Sequence, residues 1–76
     1  MDKLLEFLVK SLVEKQDEVK IEKEEDEKTI NYRVKVAESD IGKVIGKNGR
    51  TATSVRTVMK SVGAKEHKKV FVKFED

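Results

Sequence analysis

The sequence predicts an α+β sandwich in which helices pack on one face of a three-stranded sheet. Three observations carry this. Apolar residues recur at helical spacing near the N-terminus and again after residue 50. They alternate every second residue in three short segments. The order of these periodicities along the chain is α-β-β-α-α-β, with a glycine-punctuated stretch between the last two helices.

Leu4, Leu5, Leu8, Val9, Leu12 and Val13 form one apolar face on a helix expected over residues 2–15, with Phe7 beside them as a core residue. Val19 and Ile21 alternate with Lys20 and Glu22, which is strand period. Ile30, Tyr32, Val34 and Val36 alternate with Asn31, Arg33 and Lys35 and give a second strand, with Tyr32 facing the core. The charged run Glu24-Glu25-Asp26-Glu27-Lys28 between them reads as a solvated turn, so the two strands pair antiparallel. Ser39 and Asp40 are N-cap types ahead of a short helix carrying Ile41, Val44 and Ile45. Helical spacing resumes at Ala52, Val55, Met59 and Val62, and Gly63 follows where a helix end favours a left-handed residue. Val70, Val72 and Phe74 alternate in a third strand near residues 68–75. Phe71 points to its other face, as an exposed ring or an interface residue.

Composition narrows the function classes. The 76 residues make one small domain. Such a domain buries only about 60% of the surface its unfolded chain exposes, so a partner would add to its stability. With no cysteine and a single histidine, His67, neither a disulfide framework nor a zinc site is expected, and no cofactor is implied. No apolar run approaches the roughly 20 residues of a membrane helix, and the charged, amphipathic N-terminus lacks the form of a signal peptide. A cytoplasmic protein without a membrane partner is therefore expected. Ser54, Thr51 and Thr53 have no histidine or aspartate arranged to activate them, so the chain does not read as an enzyme.

Charge is distributed unevenly. Residues 1–40 carry 8 Lys/Arg against 12 Asp/Glu, whereas residues 41–76 carry 9 against 3. The basic half suits a polyanion, although lysines such as Lys60, Lys65, Lys68, Lys69 and Lys73 also read as plain solvated surface.

The chemistry-bearing stretch runs from Asp40 to Arg50 and contains Gly42, Gly46 and Gly49. Glycine inside a helix costs about 1 kcal/mol relative to alanine, so something must offset its use here. Gly46 and Gly49 allow close backbone approach, Asn48 tolerates positive φ, and the loop opens a helix whose first N–H groups suit phosphate. Lys43, Lys47 and Arg50 add full charges around it. Gly42 serves either helix packing or the groove. The spacing excludes two other phosphate loops. The NTPase loop needs four residues between its glycines and a Ser or Thr after the lysine, where this chain has three residues and Asn48. The dinucleotide fingerprint fails because Val44 stands where a glycine is required.

What remains is G-x-x-G between two helices, Val44-Ile45-Gly46-Lys47-Asn48-Gly49-Arg50, which resembles the signature of the KH domain. The whole chain is similar to the KhpA family of small, stand-alone bacterial KH proteins. That resemblance implies a type II KH domain with a mixed sheet, residues 28–76 being the core β-α-α-β unit and residues 1–27 an N-terminal extension. It further implies binding of single-stranded RNA, an RNA-chaperone role, a homodimer or a complex with a KhpB/Jag-type KH protein, and a part in cell-length and cell-wall homeostasis.

Carried onto this sequence, the clamp is Gly46, Lys47, Asn48 and Gly49, flanked by Lys43 and Arg50. Ile41, Val44 and Ile45 form an aliphatic floor, joined by Val34 or Val36 of the second strand. That strand's edge amides, with Arg33 or Lys35, would read bases. Replacing Gly46 and Gly49 by aspartate is expected to abolish binding and leave the fold intact. The competing reading is a dimerisation module in which the G-x-x-G helices form the interface through Val55, Val58, Met59 and Val62.

Overall fold

The computed structural model describes residues 1–76 and has the expected α+β architecture. Helix α1 spans Asp2–Lys10, strands β1 and β2 span Lys20–Glu25 and Thr29–Lys35, helix α2 spans Ile41–Ile45, helix α3 spans Arg50–Lys65, and strand β3 spans Lys69–Glu75. The sheet is mixed, in the order β1-β2-β3, with β1 antiparallel and β3 parallel to β2. Ile30, Tyr32, Val34, Val70, Val72 and Phe74 point from one sheet face into the core, and Leu5, Val9, Val44, Val55 and Met59 meet them from the helices. The intervening residues of β2 and β3 are exposed, so the helices cover one face only.

Three local expectations are corrected. Helix α1 stops at Lys10 rather than near residue 15. The backbone N–H groups of Glu14 and Lys15 instead donate to the carboxylate of Asp40, at 3.3 and 2.9 Å. This turns Val13 into the core while the Gln16 amide donates to the Lys10 carbonyl at the helix end. Asp40 is accordingly no helix cap; it is buried and ties the N-terminal extension to the start of α2. Phe7 is 68% exposed, because Leu5 and Val9 take the buried face of α1.

Gly63 is likewise not the left-handed cap of α3. It lies inside the helix, where a Cβ would overlap the side chain of Val70 and sit 3.0 Å from the Lys68 carbonyl oxygen. His67 takes the left-handed position instead, at φ 59°. The Lys68 N–H donates to the Gly63 carbonyl at 3.0 Å and the His67 N–H to the Ala64 carbonyl at 3.1 Å, the paired bonds of a Schellman ending. At the other side of the core, the Tyr32 hydroxyl donates to Asp2 at 2.5 Å, which fastens α1 to β2. Burial, reinforced by that carboxylate, pushes the Tyr32 phenol well above its ordinary range.

Candidate nucleic-acid interface

Helix α2 ends at Gly46, whose N–H donates to the Gly42 carbonyl at 2.9 Å, and the chain then turns sharply into α3. Three of the four loop residues have positive φ: Gly46 at 76°, Asn48 at 57° and Gly49 at 73°. Gly46 pairs this with ψ 175°, a region open essentially to glycine alone. A Cβ there would collide with the Thr51 side chain, whose Cβ lies 2.6 Å away. Nothing crowds Gly49, and its ψ of 11° is a left-handed conformation that asparagine also adopts. Lys47 and Asn48, at the tip between them, are exposed.

No side chain caps the N-terminus of α3, so its leading N–H groups and the partial positive charge of a 16-residue helix remain available beside the loop. Lys47 and Arg50 are exposed and engage no carboxylate. Lys43 differs: its ammonium pairs with Glu14 at 2.7 Å and Asp40 at 3.6 Å. The Glu14 contact holds the Lys43 pKa above its usual value, and much of its charge is neutralised. Ile41 and Ile45 are half-buried on the surface of α2, whereas Val44 is fully buried and stands behind the expected floor rather than on it.

The strand beside this groove is not the one expected. Strand β2 is central, with its backbone paired on both sides, and Val34 and Val36 are buried in the core. Arg33 and Lys35 project from the uncovered sheet face, where Arg33 pairs with Glu75 at 2.9 Å. Strand β3 is the edge strand, and both α2 and α3 pack against it. Sequence reasoning also missed Arg56. From α3 it donates through Nε to the Val72 carbonyl at 3.0 Å, and its guanidinium lies 5.7 Å from the Phe74 ring centre. Its spacing of six residues from Arg50 was the only hint, since a half-buried arginine reads from sequence as solvated surface. A shallow depression on the uncovered sheet face holds Asn31, Arg33, Phe71 and Lys73, but Glu22 and Glu24 line it too and oppose a polyanion.

Comparison with known proteins agrees with this anatomy. The profile of the KhpA/KhpB KH domain matches residues 2–74. The chain is 49% identical to the RNA-binding protein KhpA of Clostridium acetobutylicum over 95% of its own length and 96% of that protein's. It is 44% identical to the RNA-binding protein KhpA of Borreliella burgdorferi, covering 96% and 89% of the two chains. The corresponding figures for RNA-binding protein KhpA of Listeria monocytogenes are 40%, 92% and 92%. No solved structure matches the chain. Sequence and fold agree that the chain belongs to the KhpA/KhpB family of KH-domain proteins, which are not enzymes.

Proposed function

We propose that this protein binds single-stranded RNA, the Gly46-Lys47-Asn48-Gly49 loop clamping the backbone of about four nucleotides. The observation that carries the reading is the loop itself. Its left-handed glycines strip side chains from the turn, while exposed Lys47 and Arg50 and the uncapped start of α3 offer positive charge to phosphates. Bases then lie toward Ile41, Ile45 and the free edge of β3, with Val44 supporting the floor from beneath and Lys43 acting at the margin. The names of the relatives supply independent support. As finer readings, resting on family resemblance alone, we propose an RNA-chaperone role and a KhpB/Jag-type partner in cell-length and cell-wall control.

The decisive test places acidic side chains at the loop tip without touching the glycines. Lys47→Asp with Asn48→Asp keeps a residue that tolerates φ 57° at position 48 and disturbs no buried group. Affinity for an unstructured oligoribonucleotide should fall roughly 100-fold, by like-charge repulsion of phosphate, with an unchanged melting temperature. Wild-type affinity should itself fall steeply as salt rises. Undiminished binding by the double variant would overturn the reading.

A second reading is favoured by a specific surface. Phe7, Leu8, Leu12, Val55 and Val58 line an apolar groove between α1 and α3, with Phe7 and Val58 exposed. This supports self-association, though not through the residues expected, since Val55 and Met59 are largely spent on the core.

A further inference from the structure

Arg56 is built into the only sheet edge that faces the helices of the loop. In β3, the Lys69 N–H donates to the Lys28 carbonyl and the Glu75 carbonyl accepts from the Val36 N–H. Odd-numbered residues of β3 therefore turn their backbone groups toward β2. By the same alternation, Val70, Val72 and Phe74 turn theirs toward the free edge. An unoccupied edge residue offers one N–H donor beside one C=O acceptor. That pair complements adenine, which presents an acceptor next to a donor. At Val72 the acceptor is already taken, because Arg56 Nε donates to it at 3.0 Å. The Phe74 ring beneath the guanidinium fixes its plane. Its two terminal nitrogens bond no protein acceptor, which leaves a rigid pair of donors in place of the edge's mixed pattern.

We infer that Arg56 sets the base preference of the RNA groove, selecting cytosine and guanine over adenine and uracil. This rests on the proposed RNA-binding function. Two parallel donors need two adjacent acceptors. Guanine has them at O6 and N7, and cytosine at O2 and N3. Adenine and uracil have no adjacent acceptor pair on an exposed edge. Arg56 thus works twice, by supplying donors and by masking the Val72 carbonyl that would otherwise recognise adenine.

The test compares octanucleotides of oligo(C), oligo(A), oligo(U) and oligo(U) bearing one central guanine, against wild type, Arg56→Met and Arg56→Lys. Wild type should bind oligo(C) and the guanine-bearing strand roughly tenfold more tightly than oligo(A) or oligo(U), the discrimination of one bidentate contact. Arg56→Met keeps the stem over Phe74 but removes every donor. It should lose the preference, and its oligo(A) affinity should rise toward that of oligo(C). Arg56→Lys, which retains the charge as a single point, should keep overall affinity and lose discrimination, and it serves if the methionine variant does not fold. Wild type binding all four strands equally, or either variant retaining the wild-type preference, overturns the role of Arg56 while RNA binding stands. Absence of binding to every strand overturns the RNA-binding reading and this inference together.

Discussion

At Gly46 the backbone sits at φ 76° and ψ 175°, and the Thr51 side chain occupies the space a Cβ would need. Both constraints act on the fold before any ligand arrives. Gly49 shares the positive φ but meets nothing within van der Waals reach. The two glycines of the motif are therefore unequal, and the double aspartate replacement suggested by the sequence confounds folding with binding. Gly46→Ala should cost on the order of 2–3 kcal/mol, combining backbone strain with steric overlap. Gly49→Asn should cost less than about 1 kcal/mol, since asparagine visits the left-handed region. Urea denaturation of the two variants checks this, and equal losses would show that the Thr51 contact does not constrain Gly46. The cations of the motif are unequal too. Lys43 is held by Glu14 and Asp40, so the loop's unneutralised charge comes from Lys47 and Arg50.

Among the elements, α1 and α2 are joined through one carboxylate. Asp40 accepts from the Lys15 and Glu14 N–H groups, and the Lys15 bond leads in holding its pKa below the usual carboxylate range. A lowered folded-state pKa means that Asp40 contributes stability above its unfolded value of about 3.9 and loses it as pH falls through the folded value. Asp40→Asn should lower the melting temperature at pH 7, because an amide keeps one acceptor and turns a donor toward the backbone N–H groups. Its deficit relative to wild type should shrink as the pH is lowered from about 5 to 3. A deficit constant across that range would mean that Asp40 does not titrate as the linkage requires. The same tie explains why α1 ends early: N–H groups that would continue the helix find a better acceptor across the fold.

Over the whole molecule, the sheet order leaves β3 with a free edge beside α2 and α3, and β1 with the other. The loop, Arg50 and Arg56 all belong to the basic half of the chain, and all lie on the helical side of the sheet. The apolar groove between α1 and α3 borders this region, since Thr51 and Ser54 also line it. If a second copy covers it about a twofold axis, each Phe7 seats near the other chain's groove. Wild type should then sediment as a dimer at high micromolar concentration, and Phe7→Asp with Val58→Asp should weaken that dimer by tenfold or more. A purely monomeric wild type would exclude the arrangement. RNA titrated into the dimer would report whether the two surfaces compete.

Period and spacing alone determined the element order, the antiparallel hairpin of β1 and β2, and the core positions Ile30, Tyr32, Val34, Val70, Val72 and Phe74. Strand alternation is a local consequence of backbone geometry, so it survives without knowledge of partners. The G-x-x-G loop was legible for the same reason, as its spacing excludes other phosphate loops and its glycines report local φ. What only the tertiary structure decided depends on neighbours distant in sequence. Asp40 became a tie because residues 14 and 15 pass over it, Gly63 a packing position because Val70 crosses it, and Lys43 an ion-paired residue because Glu14 is there. Above all, the position of β3 at the sheet edge moved the base-reading strand from β2 to β3 and brought Arg56 into the groove. Periodicity shows which way a side chain faces; it does not show which strand lies outermost, and that alone decides where unpaired backbone groups can meet a ligand.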